Sequence, residues 1–158
     1  MITNESLKKK YDELYKKFVK GDFSEVIKEC KKVLKKRKHQ LFFNLLSTAY
    51  QKSGKTEKSI GVMNEALALN PNHPDFLNNM GTCFYLLHKY SEAEKYFRKG
   101  LEIDTKNLHI LNNLGNLKRE TYRIEESIEY YKKVLNIQKN AVPTLFNLVG
   151  IYRITNQK

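Results

Sequence analysis

The sequence repeats itself every 34 residues, and this period limits the folds open to the chain more than any other feature. Residues 77–81 read Leu-Asn-Asn-Met-Gly, and residues 111–115 read Leu-Asn-Asn-Leu-Gly. The same offset brings large apolar residues into register along most of the chain. A unit of this length cannot bury its apolar surface alone, so neighbouring units must stack. We therefore expect an elongated array of similar units.

Within each repeat, numbered from residues 40, 74 and 108, large apolar residues recur at positions 4, 7 and 11 and again at 24, 28 and 30. These spacings are typical of one stripe on each of two successive helices. Small residues at positions 8, 20 and 27 let the two helices approach closely. We expect the large residues to be buried; the exception to their pattern is Lys118, at position 11.

The pattern predicts an all-α fold of antiparallel helix pairs. Gly21 and Gly54 are expected to end first helices, because glycine readily adopts the left-handed conformation that follows a helix. Ser91 and Glu94 have the spacing of a capping box and are expected to open a second helix.

This residue pattern resembles the tetratricopeptide repeat (TPR), and the resemblance covers nearly the whole chain. It implies a right-handed superhelix of antiparallel helix pairs, an α-α solenoid. The repeats would span residues 40–73, 74–107 and 108–141. A divergent repeat would precede them at 7–39, and the first helix of an incomplete repeat would follow at 142–158.

The resemblance also implies a binding groove, because the first helices of TPR proteins line a concave surface. The residues that it places there are Asn44, Thr48, Gln51, Asn78, Asn79, Thr82, Tyr85, Asn112, Asn113, Asn116, Arg119 and Asn147. Asparagine amides both donate and accept hydrogen bonds, so a row of them can hold the main chain of an extended peptide. The row resembles that of the TPR arms of O-linked N-acetylglucosamine transferases. Replacing Asn79, Asn113 and Asn147 by Ala is expected to remove peptide affinity and leave stability almost unchanged.

A related TPR ligand is not expected here. Chaperone-associated TPR domains grip a C-terminal carboxylate with a set of Lys, Arg and Asn residues. At the matching positions this chain has Asn44 and Thr48, and later His109 and Asn113. Without those cations a terminal carboxylate has no charge-assisted partner.

Three functions stay open. The first is a protein-interaction scaffold that binds an extended peptide or partner segment in the groove. The second is the N-terminal, substrate-recruiting arm of a larger enzyme, a glycosyltransferase or another transferase. The third is a tether to nucleic acid or an anionic membrane through residues 8–38, which include the basic run at 31–38, in a chain of net charge +12. Nucleic acid is the less favoured partner, because no recognised binding motif accompanies the run.

The last predicted helix is more apolar than a terminal repeat normally is, with Leu148, Val149, Ile151 and Tyr152. We expect either that the chain is a fragment of a longer protein or that this end self-associates.

No catalytic residue, cofactor or metal ion is expected in this chain. Its 4 histidines lack metal-ligand spacing. Residues 53–56 imitate the end of a phosphate-binding loop, but the upstream glycine and strand are missing. Cys30 and Cys83 are expected to be free thiols with packing roles in a reducing compartment. No apolar run is long enough to span a membrane, so a cytoplasmic location is expected.

Overall fold

Consecutive helices account for almost all of the described chain. The computed structural model describes the backbone of residues 4–155 and the side chains of residues 4–153, and this part contains nine helices and no strand. The last part of the predicted incomplete repeat, residues 156–158, lies outside the described residues. The helices are α1 (Asn4–Val19), α2 (Phe23–Lys36), α3 (Gln40–Lys52), α4 (Thr56–Leu69), α5 (Pro74–Leu86), α6 (Tyr90–Ile103), α7 (Leu108–Glu120), α8 (Ile124–Ile137) and α9 (Val142–Thr155).

Each helix packs on the next one along the chain, and the first helices of neighbouring pairs also touch: α1 with α3, α3 with α5, and α5 with α7. The connecting turns are short, so successive helices run antiparallel. The result is an all-α solenoid, as the sequence predicts. The pairing places α3, α5, α7 and α9 side by side along one edge of the array.

The turns inside the helix pairs share one conformation, with a left-handed residue at Gly54, His88 and Tyr122, which have φ values of +72°, +58° and +59°. The next residue donates its N–H to a carbonyl in the last turn of the first helix, as Arg123 does to Lys118 at 2.8 Å. Gly21, with φ of +88°, has the same role after α1. The predicted helix ends at Gly21 and Gly54 are therefore confirmed.

The left-handed turn residue gives a stability prediction at Tyr122. Its side chain is 90% exposed, so little packing is lost when it is removed. A side chain in this conformation costs about 1–2 kcal/mol, and the entropy of an unfolded glycine offsets part of the gain from removing it. We expect Tyr122→Gly to raise the free energy of unfolding by about 0.5–1 kcal/mol in urea denaturation. Tyr122→Ala, which keeps the Cβ atom, should give no comparable gain.

The interior of each middle pair is built from a small residue facing a large one. At position 8 the chain has Ser47, Gly81 and Gly115, all buried. In the second and third repeats the opposing side chains at position 24 are Phe97 and Tyr131, which are 1% and 0% exposed. The predicted close approach of the two helices is thus present.

The first helix pair is less regular, as its divergent sequence suggests. Leu14, Val26 and Cys30 are fully buried, and Leu34 is 5% exposed. Tyr15, the residue after Leu14 on α1, is 49% exposed. It stacks on its neighbours along α1 and does not enter the core.

Two sequence expectations are wrong. Leu69, Ile103 and Ile137, at position 30, are 59%, 44% and 45% exposed, because they lie at the ends of the second helices, where the packing against the next helix runs out. The capping box also fails. Helix α6 begins at Tyr90, one residue before Ser91, and its N-cap Lys89 makes no side-chain cap.

Lys118, the exception in the apolar pattern, is fully buried and ion-paired. Its ammonium group lies 2.6 Å from a carboxylate oxygen of Glu94 on α6 and 3.4 Å from Glu126 on α8. Arg98 and Arg123 also contact Glu94, at 2.7 and 3.3 Å. A buried ammonium is tolerated only when it is paired. The sequence therefore identified Lys118 as the exception in the apolar pattern, and the structure shows the carboxylates that pair with it.

Candidate functional site: the first-helix face

The predicted groove residues lie together on one surface, the first-helix face, which we define as the partly exposed side of α3, α5, α7 and α9 that carries them. Every one of these residues is partly buried. Asn44, Thr48 and Gln51 are on α3; Asn78, Asn79, Thr82 and Tyr85 on α5; Asn112, Asn113, Asn116 and Arg119 on α7; and Asn147 on α9.

The asparagines of this face are hydrogen-bonded to one another across the repeats. Asn79 donates from its side-chain nitrogen to the side-chain oxygen of Asn44 at 2.9 Å. Asn113 donates in the same way to Asn78 at 2.8 Å and lies 3.4 Å from the hydroxyl of Thr82. We call each of the two amide–amide bonds a rung. The rungs tie α3 to α5 and α5 to α7, so these side chains help to hold neighbouring repeats together.

The third interval, between α7 and α9, departs from this pattern. Asn147 donates to Asn116 at 3.2 Å and accepts from Arg119 at 3.1 Å. The oxygen of Asn112, which a third rung would use, accepts instead from the Thr144 hydroxyl at 2.7 Å. Thr144 is fully buried, and the groove prediction from sequence missed it. A signal was present, because position 3 is apolar in the three preceding repeats and polar only here.

Some predicted groove residues use their polar atoms inside the protein. The amide nitrogen of Gln51 donates to the Asn79 main-chain oxygen at 3.2 Å and lies 3.4 Å from the Ser59 hydroxyl. The hydroxyls of Thr48 and Thr82 donate to carbonyls of their own helices at 2.9 Å. These side chains are positioned by the fold and have less capacity left for a partner.

The rungs leave one half of each amide open. In the part of the chain that the structure describes, no protein group is bonded to the side-chain nitrogens of Asn44 and Asn78 or to the side-chain oxygens of Asn79 and Asn113. Each rung therefore presents one open donor and one open acceptor on this face. Farther along the array, a depression of about 540 Å³ lies between α7 and α9, with Asn112, Asn116 and Asn147 in its lining.

The repeat period and the packing of the pairs agree with comparisons to known proteins. A family model described as "Psidin, N-terminal TPR repeats region" matches residues 8–122. A second model, described as "Tetratricopeptide repeat", matches residues 107–143. The chain belongs to the tetratricopeptide-repeat family. No curated protein matches it.

Solved TPR structures share the fold at low sequence identity. A thermophilic TPR protein of Thermus thermophilus has a TM-score of 0.82 at 18% identity, over 90% of this chain and 79% of that protein. The first TPR of Spaghetti (RPAP3), bound to the HSP90 peptide SRMEEVD, has a TM-score of 0.68 at 19% identity, over 73% and 94%. YrrB, a TPR protein with an unusual peptide-binding site, has a TM-score of 0.67 at 21% identity, over 83% and 68%. At these identities the similarity shows the fold alone.

In the TPR frame, each rung joins position 6 of one repeat to position 5 of the preceding repeat. The position-6 residues Asn79 and Asn113 are donors in the rungs, and the position-5 residues Asn44 and Asn78 are acceptors. These amides are therefore hydrogen-bonded in pairs along the TPR array, whereas the groove prediction from sequence named each asparagine separately.

The basic run of the divergent repeat, residues 31–38, begins on the second helix α2. Its lysines are exposed on a surface other than the first-helix face. Lys28, Lys31, Lys32 and Lys35 line a shallow depression of about 390 Å³. Lys32 lies 2.6 Å from Glu29, and this hydrogen bond, together with one from Lys10, lowers the pKa of Glu29 to about 2. No acidic side chain among the described residues pairs with Lys31 or Lys35. Binding of nucleic acid or an anionic membrane at this surface stays a prediction.

The remaining chemical expectations concern cysteines, metal ions and membranes. Cys30 and Cys83 are buried free thiols, as the sequence predicts. Burial raises the pKa of Cys30 to about 12, which suits a packing role. Across residues 4–153, no cluster of His, Cys, Asp and Glu side chains could hold a metal ion. None of the helices in the described part combines the length and the apolar character that a membrane span requires.

Proposed function

We propose that this chain is a protein-interaction scaffold that binds an extended segment of a partner along the first-helix face. The observation that carries the proposal is that each rung leaves one donor open, on Asn44 or Asn78, and one acceptor open, on Asn79 or Asn113. An extended main chain offers both N–H and C=O groups, so it can pair with such a face whatever its side chains.

The rungs favour this binding mode because they fix the amides before a partner arrives. Each paired amide has lost most of its rotational freedom, so a partner loses less entropy on binding than it would against mobile side chains. The open amide groups would hydrogen-bond to the main chain of an extended segment. Neighbouring residues of the first-helix face would contact its side chains. Peptide binding by the first TPR of RPAP3 and by YrrB supports the same class of function for this chain.

The charges of the face favour an internal segment of the partner over its C-terminus. Positions that hold cations in carboxylate-binding TPR domains carry Asn44, His109 and Asn113 here. Arg119, the cation among the predicted groove residues, already donates a hydrogen bond to the side-chain oxygen of Asn147 at 3.1 Å. A terminal carboxylate would therefore gain little from this surface, while the net charge of +12 favours acidic partners at long range.

The test is the double variant Asn44→Asp/Asn78→Asp, which separates binding from stability. Aspartate keeps an oxygen that can accept from Asn79 and Asn113, so both rungs survive, but the open NH₂ donors are lost. We expect the free energy of unfolding to change by less than about 1 kcal/mol, while affinity falls roughly tenfold or more, because two hydrogen bonds to the partner disappear. The probes are peptides selected from a random linear library against the wild-type protein, with affinities measured by calorimetry.

The matched control is Asn64→Asp/Asn136→Asp, which makes the same charge change at exposed positions on the second helices α4 and α8. This control should bind the selected peptides like the wild type. The loss in the groove variant should persist at high salt, where simple charge repulsion is screened. Selected peptides that bind the groove variant as tightly as the wild type would refute the proposal.

A second candidate function is the substrate-recruiting arm of a larger transferase. The observation that favours it is the row of asparagines, which resembles the TPR arms of O-linked N-acetylglucosamine transferases. Both functions use the same face, so the Asn44→Asp/Asn78→Asp variant tests the binding step that they share. Reading the open reading frame beyond Lys158 would distinguish them, since only the second needs a catalytic domain there.

A further inference from the structure

The outer side of α9 is an uncovered apolar surface. Val142, Leu145, Phe146 and Val149 are 55%, 41%, 73% and 54% exposed. Leu145 is at position 4 of its repeat, and its counterparts are almost fully buried: Phe43 at 2%, Leu77 at 1% and Leu111 at 2%. Among the described residues, no second helix packs on α9 as α4, α6 and α8 pack on α3, α5 and α7.

A helix like the second helices of the second and third repeats would not fit over this surface. Val149 is at position 8, where the second and third repeats have Gly81 and Gly115. A Cβ atom added at these glycines would lie 2.6 Å from the Phe97 ring and 2.5 Å from the Tyr131 ring. The branched side chain of Val149 therefore excludes a partner helix with a large aromatic residue at position 24. The covering element must therefore differ at this point from the second helices of those two repeats.

The spacing on α9 fits a helix–helix seam. Val142, Leu145 and Val149 follow one another at intervals of three and four residues, and Tyr152 continues the spacing by three. This is the a/d spacing of a coiled coil, with Val at both a positions and Leu and Tyr at the d positions; in parallel pairs, β-branched residues at a with Leu at d favour two strands. The described side chains of α9 include one charged group, that of Arg153. In a chain of net charge +12, this helix therefore opposes contact between two copies less than the lysine-rich surfaces do.

We propose that a second copy of this chain covers the surface, with α9 of each copy packing along α9 of the other in a two-fold symmetric dimer. The same patch then meets itself, so the contact closes and does not continue into a filament. Each copy contributes one short helix, so the buried area falls at the small end of specific interfaces, below about 1,200 Å². The dimer is accordingly expected to dissociate in the micromolar range. The proposal does not depend on peptide binding by the first-helix face.

Sedimentation velocity tests the dimer over protein concentrations from about 1 to 200 μM, a range that brackets a micromolar dissociation constant. The wild type should pass from monomer to dimer. Phe146→Glu/Val149→Glu, which places charges in the seam, should stay monomeric throughout. The matched control Leu69→Glu/Val19→Glu changes two apolar residues that are 59% and 70% exposed elsewhere, and it should dimerise like the wild type.

Cross-linking supplies an independent measurement. Cys30 and Cys83 are both 0% exposed, so a cysteine introduced as Val149→Cys is the reactive thiol, and mild oxidation should link two copies. A cysteine at Leu69→Cys should link at least tenfold less. A monomeric wild type at all concentrations would overturn the proposal, and so would a mass that keeps rising beyond the dimer. The proposal would also be overturned if Leu69→Glu/Val19→Glu lost the dimer to the same extent as Phe146→Glu/Val149→Glu.

Discussion

Gly115→Ala is expected to lower the free energy of unfolding by about 2–3 kcal/mol, the upper part of the range for an overpacked core. The added methyl group would lie 2.5 Å from one ring carbon of Tyr131 and 2.8 Å from another. The ring cannot easily move away, because it is fully buried and its hydroxyl donates to Asn116 at 2.7 Å. The helices must separate, or the hydrogen bond must break.

Gly61→Ala is the matched control, because it makes the same substitution inside a helix. Gly61 lies within α4, and a Cβ atom there would meet nothing within 4 Å. We expect this variant to gain about 0.5–1 kcal/mol from the higher helix propensity of alanine. The two glycines should therefore respond with opposite signs in the same urea denaturation experiment.

A double-mutant cycle identifies the clash as the cause. The second repeat pairs Gly81 with Phe97, whereas the first complete repeat accommodates Ser47 opposite the more flexible Met63. Tyr131→Met should be destabilising alone but should make Gly115→Ala less costly, with a coupling energy above about 1 kcal/mol. If the losses in unfolding free energy of the two single variants simply add in the double variant, a clash with Tyr131 is not the cause of the Gly115→Ala effect.

Glu94→Gln is expected to cost about 2–3 kcal/mol, somewhat less than the 3–5 typical of a fully broken buried ion pair. Lys118 is 0% exposed and would lose its charged partner at 2.6 Å. Its remaining partner Glu126 lies farther away, at 3.4 Å, and is 40% exposed, so it compensates only in part. Lys118→Met should be close to neutral by comparison, because a residue of similar shape fills the same apolar position without a charge.

Glu92→Gln is the control for this prediction, because Glu92 is an exposed residue of the same helix. We expect its free energy of unfolding to stay within about 0.5 kcal/mol of the wild type. In the double variant Lys118→Met/Glu94→Gln, most of the loss should be recovered, since no buried charge remains unpaired. A Glu94→Gln variant as stable as Glu92→Gln would mean that Lys118 does not depend on this carboxylate.

The same ion pair gives a pH dependence of known sign. Partial burial alone would raise the pKa of Glu94, but hydrogen bonds from Lys118 and Arg98 outweigh it, and the pKa is lowered from 4.5. The contribution of Glu94 to stability is therefore complete above pH 4.5 and is lost as the pH falls through the lower folded-state pKa. The difference in unfolding free energy between the wild type and Glu94→Gln should shrink across this acidic range.

Sequence reasoning reached the helix pairs because their determinants are local and periodic. Apolar spacing specifies which helix side is buried, and the small residues Gly81 and Gly115 mark where helices meet. Repetition strengthened each inference, since one spacing had to hold in several places. The capping box failed because Ser91 matched a short motif that nothing else in the repeat required, and the turn hydrogen bonds start α6 one residue earlier.

The hydrogen bonds between asparagines of the first-helix face could not be predicted in the same way. A sequence shows that Asn44 and Asn79 are 35 residues apart, but not that their amides meet. That contact depends on how far one helix pair is offset from the next. It also changes an expectation from the sequence: replacing Asn79, Asn113 and Asn147 by Ala should weaken the array as well as any peptide binding, by about 1 kcal/mol for each bond removed.

The most direct test of binding along the first-helix face is an NMR titration of the isotope-labelled protein with a peptide selected against it. We predict that the side-chain NH₂ signals of Asn44 and Asn78 shift and become protected from solvent exchange as the peptide binds. The corresponding signals of Asn64 and Asn136, on the second helices, should stay in place. Saturating binding that leaves Asn44 and Asn78 unchanged, with shifts concentrated on α2 or the second helices, would contradict the account.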